Sequence, residues 1–315
     1  MKYKPEHQDP NFCSIRTFMR LPYTKILEDV DFAIVGLPFD TGSGYRIGAR
    51  FAPETIRSVS LLLGSYNIGI DVSIFEILSG IDYGDIHVVP GYIDDSIIKI
   101  EEGLSVIHNM GVIPIGLGGD HSILLAELRA AAKRYGSLGL VLFDSHHDCW
   151  NSYQGHSFFN STSIRRGVEE GLINVSHSII CGLRGAVYST KSWKYAQELG
   201  FEIIPASQIH QIGLQETCCR ILSKVGQSPL FLSFDIDFLD PAFAPGTGTP
   251  EIGGFSTWEA QELLRGLCGL DVKAADIVEV IPAYDHSQIT SIAAANLIFE
   301  IISLLAWKKQ NSNKS

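Results

Sequence analysis

Short apolar runs alternate along the chain with longer stretches whose apolar residues recur every three or four positions. The runs FAIVGL (32–37), GVIPIGL (111–117), LGLVLFD (138–144), SIICGL (178–183), PLFLSFD (229–235) and DIVEV (276–280) read as buried strands. Between them, APETIRSVSLLL (52–63), DDSIIKIEEGLSVIHNM (94–110), SILLAELRAAAKRY (122–135), KSWKYAQELG (191–200) and STWEAQELLRGL (256–267) read as helices, as does a last segment from about Gln288. Asp94 and Ser256 are the clearest N-caps. Strands that alternate with amphipathic helices build βαβ units and a parallel sheet, so the pattern predicts the α/β class. No Ser/Pro/Gly-rich linker and no internal repeat interrupts it, which predicts one domain over 1–315, with residues 1–20 as an N-terminal extension and KKQNSNKS (308–315) as a disordered tail.

Composition narrows the function classes. At 315 residues with 45% hydrophobic and 19% charged residues, the chain can bury a sizeable core without staples. Lys and Arg number 24 against 35 Asp and Glu, a net charge of -11, and so acidic a chain is a poor binder of nucleic-acid backbones. The opening MKYKPEHQDP has no apolar core of a secretion signal, and the late apolar stretch SIAAANLIFEIISLLAW is broken by Asn296 and Glu300, which argues against a membrane partner. The six cysteines contain no CxxC pair, so they read as buried thiols of a cytoplasmic protein.

In parallel sheets ligands gather beyond the carboxyl ends of the strands. Three strand ends carry polar clusters here: GGDHS (118–122), DSHHDCW (144–150) and DIDFLDPAFAPGTGTPEIGG (235–254). Asp144, His146 and Asp148 occupy alternate positions, so extended backbone turns them to one side, and Asp235 and Asp237 repeat the spacing. Any one cluster reads equally well as loop caps and turn formers. The three together do not, because burying so many carboxylates without cations costs on the order of several kcal/mol each. With His121 the set becomes four carboxylates and two imidazoles without a thiolate, which suits Mn²⁺, with Ni²⁺ as the alternative, better than structural zinc. Six ligands are enough for two ions. Two divalent cations, four aspartates and a bridging hydroxide leave one net negative charge, which favours a cationic substrate.

These motifs resemble those of the ureohydrolases, the family of arginase, agmatinase and the guanidino-acid hydrolases. GGDHS, DSHHD and SFDIDFLDPAFAPGTGTP stand where the family has GGDHS, Asp-Ala-His-x-Asp and Ser-x-Asp-x-Asp-x-x-Asp-Pro-x-x-x-Pro-Gly-Thr-Gly-Thr-Pro. The likeness continues through PFDTGSGYRIGARFAPETIR (38–57), RRGVEEGLI (165–173), CGLRG (181–185) and DIVEVIPAYDHSQIT (276–290), covers nearly the whole chain and leans toward the agmatinase branch. It implies a three-layer α/β/α fold around a mostly parallel, doubly wound sheet, two Mn²⁺ per chain, and assembly as a homo-oligomer, trimer or hexamer. It also implies hydrolysis of a guanidinium carbon to urea and an amine, agmatine to putrescine first, with guanidinobutyrate, guanidinopropionate or a small alkylguanidine as alternatives. By motif position the metal ligands are His121, Asp144, His146, Asp148, Asp235 and Asp237. Glu279 matches the carboxylate that holds the guanidinium, a role in which a strand-end acid accepts paired N–H donors. Asp148, beside the bridging position, would hold the nucleophile's remaining proton, Asp120 would orient its neighbours, and PGTGTP would be architectural.

One departure stands out. The family has a His-Gly-x-x-Phe segment downstream of the second motif, and aligning RRGVEEGLI without gaps puts its histidine on Asn160, a substrate-binding candidate that cannot titrate. His156, in YQGHSFF, is the candidate to take over proton transfer, or is simply an exposed loop residue. The loop CWNSYQGHSFFN (149–160) offers no charged residue for the substrate's far end, while Trp150, Tyr153, Phe158 and Phe159 suit cation–π or alkyl contacts or else core and interface packing. The second reading of the chain is a catalytically idle partner in a hetero-oligomer; the complete ligand set and Glu279 favour the enzyme.

Overall fold

The computed structural model describes residues 2–5 and 10–312. Among the described residues ten strands follow one another: β1 (Phe32–Leu37), β2 (Tyr66–Asn67), β3 (Val72–Ser73), β4 (Gly80–Asp85), β5 (Ile113–Gly118), β6 (Gly139–Phe143), β7 (Ile179–Cys181), β8 (Glu202–Ile204), β9 (Pro229–Asp235) and β10 (Asp271–Val278). β2 and β3 make a small antiparallel pair, and the other eight form one sheet in the order β4-β1-β5-β10-β9-β6-β7-β8 with every neighbouring pair parallel.

Alternate residues of each strand feed opposite layers. Ile115, Leu117, Leu232, Phe234 and Ile277 pack on one face with helices Ala52–Ser60, Leu214–Val225 and Ile289–Ser312. On the other, Ala33, Val35 and Leu37 meet helix Ile93–Asn109, and Leu140, Leu142 and Phe231 meet Leu124–Tyr135 and Ser163–Glu169. With both faces covered, the central strands tolerate few polar side chains, which is why they read as near-continuous apolar runs. The expected three-layer α/β/α fold is the one observed.

Several boundaries differ from the sequence reading. The edge strands β4 and β8 go unpredicted: β8 is three residues long, and β4 is the polar GIDYGD, whose buried Asp82 accepts from Arg57 Nε (2.8 Å) and Phe18 N (2.8 Å). β10 begins at Asp271 and ends at Val278, so Glu279 lies just past it and not inside it. Ser256 does cap its helix, in a reciprocal box with Glu259, but Asp94 is no cap: the helix starts at Ile93, and Asp94 sits in the first turn, where its charge complements the helix dipole. The N-terminal extension is anchored by Phe18 and Met19, both fully buried.

The expected disordered tail is helical as far as Ser312, because Lys308 and Lys309 reach Asp271 and Asp31 at 2.5 and 2.6 Å; residues 313–315 lie outside the described residues. This last helix is long and apolar enough to cross a membrane, yet most of it is buried in the fold, and Glu300 pairs there with Arg265 (2.6 Å) and Asn67 Nδ2 (2.7 Å). Of the six cysteines, all free, only Cys149, Cys181 and Cys218 are buried, whereas Cys13 and Cys219 are exposed.

Candidate metal centre

The four central strands, β5, β10, β9 and β6, end at one level. Val278 is registered with Asp235 and Phe143 with Phe234, so Asp144 emerges one residue beyond β6 beside Asp235. After β5 the chain turns sharply through Gly119, where a Cβ would lie 2.1 Å from the Phe39 carbonyl oxygen; only glycine passes. The turn delivers His121 into a short 3₁₀ helix capped by Asp120. The Asp120 carboxylate accepts from Ser122 N (2.9 Å) and Gly42 N (2.7 Å), and so ties the 40–48 loop to the ligand turn.

All six expected ligands converge. His121 Nδ1 lies 2.9 Å from Asp148 Oδ2, 3.3 Å from Asp144 Oδ2 and 3.6 Å from Asp235 Oδ2. His146 Nδ1 lies 3.0 Å from Asp237 Oδ2 and 3.6 Å from Asp144 Oδ1. The donor atoms of His121, Asp144 and Asp235 fall within 4.8 Å of one another, as do those of Asp144, His146 and Asp237, so two cation-sized groups share Asp144. His121 Nδ1 and Asp144 Oδ2 are buried yet meet no hydrogen-bond partner in proper geometry, an arrangement that costs free energy unless a cation completes it. The residues fit a binuclear metal centre.

The electrostatics agree. Burial, then the charges of Asp237 and Asp148, push the Asp144 carboxyl up to about 6, and burial with Asp237 and Asp144 pushes Asp235 well above the usual range. Burial opposes the Asp237 charge too, but His146 and the Ser145 donors outweigh it and hold that carboxyl low. Both imidazoles are driven upward despite burial, because their carboxylate neighbours outweigh it. Sequence reasoning missed Ser145, which lies between two ligands and donates to Asp237 Oδ1 from Oγ (2.7 Å) and N (3.1 Å); nothing in its type marks it out.

Glu279 borders this cluster. Its Oε1 accepts from His121 N (2.9 Å) and Asn160 Nδ2 (3.2 Å), while Oε2 is buried without a partner. Burial, then the Asp120 charge, pushes this carboxyl up to about 8. Both Glu279 and Asp148 adopt positive φ, 62° and 46°, a strained backbone of the kind found at functional sites. A Cβ on Gly248, in PGTGTP, would come within 3.1 Å of Glu279 Oε2, so that glycine leaves the free oxygen accessible. Asn160, placed by a backbone bond to the Gly42 carbonyl (2.8 Å), thus sits inside the site.

The structure does not bring His156 to the ligands. It lies exposed and closes a turn with Tyr153 through paired backbone bonds (2.9 Å each), with Gln154 and Gly155 at the tip. Of the loop aromatics, Trp150 packs edge-on against Tyr188 and Tyr195, Phe158 joins the core beside helix Ile93–Asn109, and Tyr153 stacks on Phe159 at 4.3 Å over Gly44. A charge that the 149–160 loop lacks is supplied by the 40–48 loop: Arg46, half-buried, lies over the Tyr284 ring at 4.6 Å and donates to the Thr247 carbonyl at 3.3 Å.

A parallel sheet between two helical layers thus carries two carboxylate–imidazole groups on its central strand ends. The arginase family model matches residues 30–303, and the chain belongs to the arginase family. The mitochondrial agmatinase of Gallus gallus is 40% identical over 293 residues, 93% of this chain and 86% of that protein. A guanidinobutyrase of Pseudomonas aeruginosa is 39% identical over 299 residues, 94% of each chain. Among solved structures, the proclavaminate amidino hydrolase of Streptomyces clavuligerus superposes with a TM-score of 0.90 at 36% identity, covering 95% of this chain and 100% of that one.

Proposed function

We propose that this chain hydrolyses a guanidino compound to urea and an amine, with agmatine, which yields putrescine, as the leading substrate. The observation that carries this is Glu279, a buried carboxylate with one oxygen held by two donors and the other unpartnered, beside six residues suited to two cations. His121, Asp144, His146, Asp148, Asp235 and Asp237 would hold Mn²⁺, which this donor set suits best, or Ni²⁺. When bound, two such ions supply Lewis acidity that makes water a nucleophile near neutral pH. Glu279 Oε2 then accepts the guanidinium N–H donors and holds the carbon toward the cluster, while Asn160 fixes Glu279 in place. Asp148, against His121, holds the proton left on the nucleophile. An idle partner subunit would need no such complete constellation.

Urea release by the purified, Mn²⁺- or Ni²⁺-loaded protein should be fastest with agmatine in a screen that includes 4-guanidinobutyrate, 3-guanidinopropionate, arginine and guanidine. No urea from any of them would sink the reading. Arg46 favours a second one, in which a guanidino acid places its carboxylate on that guanidinium. In that case Arg46→Ala should raise the KM for 4-guanidinobutyrate at least about tenfold, roughly 1.4 kcal/mol, and leave agmatine nearly unaffected.

The leaving amine needs a proton, and His156 is the imidazole its loop offers. His156→Ala should lower kcat at least about tenfold; an unchanged rate would assign the proton to solvent beside Asn160. Assembly as a homo-oligomer, trimer or hexamer, is supported by exposed apolar side chains such as Ile15, Ile68 and Ile252, and a cytoplasmic setting by six unpaired cysteines.

A further inference from the structure

Beneath the metal centre lie two buried acids that the hydrolytic chemistry does not use. Asp276, on β10, is registered with Gly116 of β5 and Ser233 of β9, so the three form one row across the sheet. Their side-chain positions share a layer with helix Leu124–Tyr135, from which Glu127 enters. Asp276 is fully buried and Glu127 is 3% exposed. The missing side chain at Gly116 makes the room: a Cβ there would lie 2.6 Å from Glu127 Oε1 and 3.2 Å from the Asp276 Cβ.

Asp276 Oδ1 accepts from Phe234 N at 3.3 Å, whereas Asp276 Oδ2 and Glu127 Oε2, buried side by side where Gly116 leaves room, have no hydrogen-bond partner. Ser233 Oγ in turn lies 3.0 Å from His121 Nε2. Two carboxylates cannot both ionise side by side in so dry a place, so the pair keeps one proton. Glu127 holds it, being pushed further up by burial and then by the Asp276 charge. With the proton on Glu127, Asp276 is an acceptor toward which the O–H of its registered neighbour Ser233 would turn, leaving the Ser233 oxygen to accept from His121 Nε2–H at 3.0 Å.

We infer that Glu127, Asp276 and Ser233 are positioning residues, a buried relay that locks His121 in the tautomer whose Nδ1 lone pair faces Asp144, Asp148 and Asp235 and so strengthens one of the two cation sites over the other. The inference rests on the metal-centre reading above. A neutral imidazole that gives its outer N–H to such a chain is fixed in orientation and is a better donor through its inner nitrogen. His146 has no such support: its Nδ1 meets Ser145 Oγ at 3.1 Å, and its side chain is 36% exposed.

Calorimetric titration of the metal-free protein with Mn²⁺ alone tests this without any substrate. The parent should show two binding events of unequal affinity. Ser233→Ala and Glu127→Leu should each weaken the tighter event by about 10- to 100-fold and leave the weaker one within about threefold. Glu127→Gln, which still offers an N–H to Asp276, should stay close to the parent. Equal weakening of both events, no change in Ser233→Ala, or a Gln variant as impaired as the Leu variant would overturn the relay while the metal centre stands. A parent that takes up no Mn²⁺ would overturn both.

Discussion

Asp144→Asn should lower kcat/KM at least about a thousandfold, roughly 4 kcal/mol of barrier, and should cost the protein both ions. Asp144 is the one residue shared by the two cation-sized groups: Oδ2 faces His121 at 3.3 Å, and Oδ1 faces His146 at 3.6 Å. An amide there brings a neutral oxygen and an N–H donor into a ring of acceptors. The metal-free fold should respond in the opposite direction. Asp144 is crowded by the charges of Asp237 and Asp148 within a fully buried setting, so removing its charge relieves repulsion. The metal-free variant should melt no lower than the metal-free parent, whereas the parent alone should gain stability on adding Mn²⁺, about 2.7 kcal/mol at a hundred times Kd. Elemental analysis that finds two ions retained in the variant would show that Asp144 does not bridge.

How much of this was legible in the sequence depended on local pattern. β1, β5, β6 and β9 lie inside the sheet and are apolar on both faces, so their runs are visible without tertiary information. β4 is stable as a strand because Arg57, far away in sequence, neutralises Asp82, and no window around GIDYGD contains that partner. The six candidate ligands were readable because alternation at a strand end is itself a geometric statement, and His121, Asp144 and Asp235 need only the parallel sheet to bring them together. Arg46 and Asn160 were harder. Arg46 reaches the Thr247 carbonyl from a loop 201 positions earlier, and Asn160 reaches Glu279 across 119 positions, each through an irregular segment whose path no periodicity encodes. The role of His156 rests on its place in sequence near Asn160; in the fold it lies exposed, paired by backbone bonds to Tyr153 across a tight turn.

Glu279→Gln is expected to abolish turnover while both ions stay bound, with kcat/KM down at least about a thousandfold, roughly 4 kcal/mol. The carboxylate is placed by three features that the substitution keeps: the strained φ of 62°, the His121 N–H on Oε1, and Asn160. What it loses is the second acceptor. His121 N and Asn160 Nδ2 both donate to one side of the group, so the glutamine must turn its oxygen to them and present its NH₂ where Oε2 now lies unpartnered beside Gly248. A guanidinium arriving there brings only donors, and donor against donor in a buried site forfeits the charge-assisted pair and leaves both groups unsatisfied. Because the hydrogen bond that joins Glu279 to the candidate ligands runs to the His121 backbone, metal content should be unchanged by elemental analysis. Loss of one ion from the variant would instead place Glu279 among the ligands, and a turnover number near the parent's would mean that the guanidinium is held elsewhere in the site.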